Sequence, residues 1–253
     1  MGRMRGILKL SGQVGEFSFY KKKGDFFARN PEGIDGNRIK TEPNFERVRE
    51  NNEEFKKALQ AGELMRTALR TMLRITADTS VSTRLTRLMM KVIKADAVSE
   101  RGKRNVIDGE TDLLRGFEFN ENTPLKASFI GNYTTVINRA TGALTVNIPA
   151  FIPDEYIDHP LGASHCQLIM AGVEVDFEAG TYVVNTARSA NIDFGVAEHA
   201  EIDLSAAVTP ASTKPLFVAF GIEFFQNTTG GVAYPLRNHG YNALKLVEVD
   251  GGV

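Results

Sequence analysis

Four histidines, His159, His165, His199 and His239, and one cysteine, Cys166, are the residues of this chain with the chemistry to ligate a metal or to act as base and nucleophile near neutral pH. The histidines are scattered, and none stands at a Cys/His spacing that closes a tetrahedral site. His199-Ala-Glu201 and Asp154-Glu155 with Asp158-His159 could supply ligands, and the three acids could serve as a carboxylate pair. Nothing in the spacing sets the separation on which such a pair depends, so these stretches read as solvated loops. Cys166 lies in the strand-like run His165-Cys166-Gln-Leu-Ile-Met and reads as a buried, inert thiol. Gly12-x-x-Gly15 and Gly24 lack the strand, glycine turn and helix of a phosphate loop. Thr228-Thr229-Gly230-Gly231 reads as hairpin-turn chemistry. No catalytic residue, metal site or cofactor is predicted, and the chain does not read as an enzyme.

The stretch with the strongest character is instead aromatic and basic. Val14, Phe17, Phe19 and Tyr20 are strand formers, Lys21, Lys22, Lys23, Gly24 and Asp25 interrupt them, and Phe26, Phe27 and Arg29 follow. Two short strands around a glycine-containing connection predict a β-hairpin. A lone hairpin is barely stable in water, so its aromatics must pack on another part of this chain or on a neighbouring copy. Phe17, Phe19, Tyr20, Lys21, Lys22, Lys23, Phe26, Phe27 and Arg29 are the candidate binding residues. Interleaved with Arg3, Arg5 and Lys9, they also have the composition of a stacking surface for single-stranded nucleic acid. The competing view makes the aromatics the buried side of a hairpin whose lysines sit at a solvated turn.

Charge divides the chain. Residues 1–104 hold 23 Lys+Arg against 13 Asp+Glu, and residues 105–253 hold the remaining 7 against 18. Such asymmetry suggests a basic face for nucleic acid, or two complementary faces of a protein that meets its own copies. A single cysteine excludes an internal disulfide framework and fits a reducing compartment. Lys9 cuts Ile7-Leu8 short of a signal-peptide apolar region, and no stretch reaches the length of a membrane span. The chain reads as cytoplasmic, or as part of an exported or virion-like particle, with no membrane partner.

The elements that must carry these residues fall into two sets. Thr41 with Pro43 predicts a helix start, with Phe45, Val48, Phe55 and Leu59 on the inward face and Gly62 as the residue that ends it. A second helix, with Arg66, Arg70 and Arg74 at four-residue steps, is expected from Glu63 to about Ile75. A third, capped by Asp78, Thr79 or Ser80, is expected to bury Val81, Leu85, Leu88, Met89, Val92 and Ile93 and to present Arg84, Arg87, Lys91 and Lys94. Residues 97–110 read as a linker. Beyond them, strands are predicted at 116–120, 125–130, 134–138, 144–148, 166–177, 181–185, 201–206, 216–225 and 243–249, separated by turn clusters. The expected fold is α+β. A basic hairpin-plus-three-helix module, residues 1–104, precedes an acidic antiparallel β-sandwich of jelly-roll type, residues 105–253.

The pattern Gly12-x-Val14-Gly15-x-x-x-Phe19-Tyr20-Lys21, followed by Arg29 and Thr41-x-Pro43-x-Phe45, resembles a family of uncharacterised Bacteroidota proteins. The later runs Ile148-Pro-Ala-Phe151-Ile-Pro153, Gly162-Ala-Ser-His165, Val175-Asp-Phe177 and Gly221-Ile-Glu-Phe224 are similar to the same group. The resemblance implies a short N-terminal module joined to a β-rich C-terminal domain and carries no catalytic residues. With the charge division and the hairpin, it leads to the expectation of a structural, self-assembling subunit, phage-derived or filament-like, whose partners are copies of itself. The alternative is a nucleic-acid-binding protein using residues 1–104. A glycan-binding β-domain stacking sugars on Tyr156, Tyr182, Tyr234 and Tyr241 is a third reading.

Overall fold

A computed structural model describes residues 2–3, 10–22, 25–30, 34, 36–76, 78–227, 233–236 and 239–252. Its thirteen strands are β1 (Gly2–Arg3), β2 (Gly12–Val14), β3 (Phe17–Lys22), β4 (Asp25–Arg29), β5 (Thr134–Asn138), β6 (Ala143–Ile148), β7 (His165–Asp176), β8 (Thr181–Arg188), β9 (Ile192–Asp193), β10 (Ile202–Ala207), β11 (Leu216–Asn227), β12 (Ala233–Pro235) and β13 (Ala243–Asp250). The α-helical segments are α1 (Gly36–Thr41), α2 (Glu46–Ala68), α3 (Arg70–Leu73), α4 (Val81–Lys94), α5 (Leu125–Ser128) and α6 (Pro153–Tyr156). With 28% of the described residues helical and 36% in strands, the sheets antiparallel and a curled half-barrel sheet among them, the fold is mixed rather than all-β.

Two compact units divide between Arg49 and Glu50. The first holds a four-stranded sheet in the order β1-β4-β3-β2. The hairpin expected there is β3 and β4, and a second tight turn precedes it. Val14 pairs with Phe17, leaving Gly15 and Glu16 as a two-residue connection. Gly15 has φ 58°, and glycine at the first central position is what such a turn accepts without strain. The turn residues Lys23 and Gly24, with Arg5, Lys9, Pro31 and Gly33, lie outside the described residues. After the sheet, α1 is tied to the start of α2 by Arg49, which donates to the carbonyls of Ile39 and Glu42 at 2.8 Å each.

The second unit is built around β7 and β11, which pair along ten residues and are buried on both faces. Their long apolar runs are what burial on two sides requires. Side chains alternate, as strand geometry dictates. Ile169, Ala171, Val173, Phe217 and Ala219 point to one core, shared with Met65, Leu69, Leu85, Met89 and Ile93 of the helical segments. Leu168, Met170, Val218, Phe220 and Ile222 point to the other, shared with Leu144, Val146, Leu204 and Ala206 of the three-stranded sheet β10-β6-β5. Gly172 permits that close approach, since a Cβ there would stand 3.0 Å from the Ala206 Cβ.

The boundary expected at residue 104 therefore falls inside this unit. The apolar faces of α2 and α4 have no core of their own and close over the sheet. Residues 97–110, expected as a linker, are instead pinned to the helices. Buried Asp96 accepts from the backbone N–H groups of Val98, Ser99 and Asn105, Glu54 accepts from that of Gly102, and Lys57 donates to two carbonyls of the same loop. Two further expectations are corrected. Gly62 does not end a helix: α2 runs through it to Ala68, because Gly62 packs beside Thr86 and Leu85 of α4. The buried face of α2 is Ala58, Ala61, Gly62, Met65 and Ala68, while Phe55 and Leu59, expected inward, are 50% and 44% exposed. Close helix packing here selects small side chains over large ones. Residues 125–130, expected as a strand, begin with the single turn α5 after Pro124 and add one bridge, Phe129 to Ile157, and residues 116–120 contribute one bridge, Glu118 to Lys245.

Candidate functional site

Strand register sorts eight of the nine candidate residues between the two faces of the N-terminal sheet. In an antiparallel pair, directly opposed residues share a face. Phe19 opposes Ala28, Lys21 opposes Phe26, and Val14 opposes Phe17. One face therefore carries Val14, Phe17, Phe19, Lys21, Phe26 and Ala28. The other carries Ser18, Tyr20, Lys22, Asp25, Phe27 and Arg29. Tyr20 and Phe27 stack with ring centroids 5.8 Å apart, and the Arg29 guanidinium lies 5.8 Å from the Tyr20 ring. Lys21 Nζ lies 5.8 Å from the Phe26 ring. Each such cation–π contact contributes about 0.5–1 kcal/mol at an exposed site. Lys23 lies outside the described residues.

The view of the aromatics as the buried side of a hairpin does not hold. They divide three and two between opposite faces, and none is buried. Indeed none of residues 10–22, 25–30, 34 and 36–49 is buried, and Val14 and Phe17 are 57% and 50% exposed. The sequence signal was legible in strand alternation, since Phe17 and Phe19 share a parity that Tyr20 does not.

The basic stripes separate in the same way. Arg84 is a structural residue: it pairs with Asp78 at 2.5 Å, donates to the Glu118 carbonyl at 2.8 Å and lies 4.9 Å from the Phe117 ring. Burial alone would raise the Asp78 carboxyl, but the hydroxyl and N–H of Ser80, the N–H of Glu121 and Arg84 hold its pKa down at about 2. Arg87, Lys91 and Lys94 are exposed and form no ion pair among the described residues.

The other chemically suggestive residues have structural partners. His159 stacks on Phe194 at 4.1 Å, His165 on Phe225 at 5.2 Å and His199 on Phe151 at 5.8 Å. Asp154 accepts from the Gly195 N–H. Cys166 is buried, and desolvation, with the nearby Asp193 charge, pushes its thiol far above the ordinary range. Among the described residues no group of three or more His, Cys, Asp or Glu could hold a metal ion. Among the described residues, no helix is long and apolar enough to cross a membrane. Thr228 to Gly231 lie outside the described residues. A cleft of about 780 Å³ between α2, residues 103–107 and the β7–β8 turn brings together Lys57, Glu63, Asn105, Glu178 and Tyr182. It holds no histidine or thiol, and its Lys57 is spent on backbone carbonyls. Tyr156 lines a different and much smaller cavity, so these two tyrosines do not share a sugar platform.

Fold and site together define a mixed, antiparallel β-rich protein with a coreless aromatic sheet at its N-terminal end. Compared with known proteins, the chain finds no matching family model and no significant match to a curated protein or a solved structure.

Proposed function

We propose that the protein is a structural subunit that assembles with copies of itself, the N-terminal sheet of one copy docking on the next. The observation that carries this reading is that none of residues 10–22, 25–30, 34 and 36–49 of the first unit is buried. A small sheet with aromatics on both faces does not persist in water without a covering surface. Burying a phenylalanine contributes roughly 1.5–3 kcal/mol, so Phe17, Phe19 and Phe26 on one face make a sufficient anchor. The sheet also ends on β2, whose outer edge can accept a strand from a neighbour. The occupant proposed is a second copy because the charges fit. Residues 1–49 hold 11 Lys+Arg against 6 Asp+Glu, and residues 50–253 hold 19 against 25. This imbalance is smaller than the division at residue 104 suggested, since the basic helices belong to the acidic unit. Head-to-tail contact of this kind closes into a ring or continues as a filament, as a phage-like subunit would. No catalysis is assigned. For the second unit, the core shared by its two sheets supports a β-sandwich.

Sedimentation across a concentration and salt series tests this. Association is expected at low salt, weakening at high salt, and lost in a Phe17→Ser/Phe19→Ser variant. A protein that remains monomeric at low salt and high concentration sinks the proposal. The second reading, a nucleic-acid-binding protein, draws support from Lys21 and Arg29 lying over aromatic rings. It predicts retention of single-stranded DNA or RNA that falls steeply with salt, and a flat salt response removes it.

A further inference from the structure

We infer that the cleft enclosed by the end of α2, by α3 and by the start of α4 is a binding site for a compact oligophosphate anion. Its lining residues all belong to the second unit. The cleft has a volume of about 470 Å³ and is lined by Arg66, Arg70 and Arg74 together with the side chains of Thr67, Thr79 and Ser82. The three arginines recur every four residues, which places them on one side of the helical run. Like charges at that spacing repel, and among the described residues no carboxylate pairs with any of them. Asp78 is the one acid in the lining that could neutralise them. It is already taken by Arg84 at 2.5 Å and by the N–H groups of Ser80 and Glu121 at 2.6 and 3.1 Å.

Arg66 carries a second observation. Its Nε is the one buried side-chain nitrogen or oxygen without a hydrogen-bond partner among the described residues. A fully solvated basic stripe does not leave a guanidinium donor both dry and unpaired, and such donors are rare in folded proteins because they are costly. The start of α4 adds to the same field. Val81 and Ser82 line the cleft, Ser80 makes no side-chain cap bond, and no acid stands in the first turn. The positive end of the helix dipole therefore adds to the field of the arginines.

The number of donors selects the class of ligand. One carboxylate carries a single charge, which one bidentate arginine already neutralises. Three forked guanidinium groups with flanking hydroxyls call for an anion with many acceptor oxygens and several charges. A di- or triphosphate group meets that demand, and the cleft falls in the size range of small-ligand sites.

The test is calorimetric titration of the full chain with sodium tripolyphosphate at constant ionic strength, with an oligothymidylate titrated in parallel. Binding of tripolyphosphate is expected, weakened by about tenfold or more in Arg70→Gln/Arg74→Gln, since each change deletes a charge-assisted hydrogen-bond donor. These two arginines are exposed, so the variant keeps its fold, and its unliganded circular dichroism and thermal midpoint verify that. Arg87→Gln/Lys91→Gln, which changes the same net charge outside the cleft, is expected to leave the affinity unchanged. Equal weakening in both variants overturns the proposal, as does the absence of tripolyphosphate binding. Binding of the oligonucleotide alone also overturns it, because the arginines would then serve an extended backbone.

Discussion

Residues 1–49 and residues 50–253 are made of similar amino acids put to opposite uses. The first unit places Phe17, Phe19, Tyr20, Phe26 and Phe27 on a sheet with no interior, so every aromatic ring keeps contact with solvent. The second uses Phe129, Phe217, Phe220 and Phe224 as fully buried core. Composition alone does not separate the two cases. What separates them is a second layer: β7 and β11 are covered by helices on one face and by a sheet on the other. Among the described residues of its own unit, the four-stranded sheet has neither cover. An aromatic strand is thus a core element only when the chain supplies something to lie across it.

The largest expected effect lies where that cover is thickest. Phe220 is inaccessible and packs on Phe129 and Tyr133 at 5.9 and 4.9 Å. Phe220→Ala should cost about 3–5 kcal/mol in urea unfolding of the second unit. Phe19→Ala in the open sheet should change the stability of that same transition by less than about 0.5 kcal/mol, as surface changes do. Comparable losses at both positions would erase the distinction between the units.

A smaller effect is expected at the turn between α3 and α4. Asp78→Asn removes a charge-assisted bond to Arg84 and should cost about 2 kcal/mol. The pH dependence has a definite sign. With the folded carboxyl at about 2 and an unfolded value near 3.9, its contribution is complete above about pH 4 and is lost as pH falls toward 2. Urea midpoints recorded from pH 5 to pH 2 should therefore converge for wild type and variant at the acid end. Parallel curves would contradict the assignment.

The smallest effect has the opposite sign. Gly62 is helical, and an added Cβ would meet Thr86 Oγ1 at 3.5 Å, an ordinary contact. Gly62→Ala should stabilise the second unit by roughly 0.5–1 kcal/mol through helix propensity. A loss of stability would show that α2 and α4 are packed too tightly for a methyl group.

Much of this architecture was legible in the sequence. Alternation and turn residues located β5, β6, β7, β10, β11 and β13 to within a residue or two, and the spacing of Val81, Leu85, Met89, Val92 and Ile93 located α4 and its buried face. The inward face of α2 was missed because hydrophobicity points to Phe55 and Leu59, whereas close packing chose Ala58, Ala61 and Gly62. The turn α5 was taken for a strand because a short apolar run such as 125–130 carries no period long enough to decide. The division of units was hidden because charge changes near residue 104 while the core does not: Val106 and Leu114 share one cluster with Met65 and Leu69. For the candidate sheet, the residues could be named from sequence, but their distribution over two uncovered faces required the register of β3 and β4.

Hydrogen exchange of the backbone amides in residues 12–14, 17–22 and 25–29, followed across a dilution series at low salt, addresses the central claim most directly. If a second copy covers the N-terminal sheet, protection of these amides rises with concentration in step with sedimenting mass, while β7 and β11 stay equally protected throughout. Protection in residues 12–29 that is independent of concentration, in a protein that sediments as a monomer, contradicts the account.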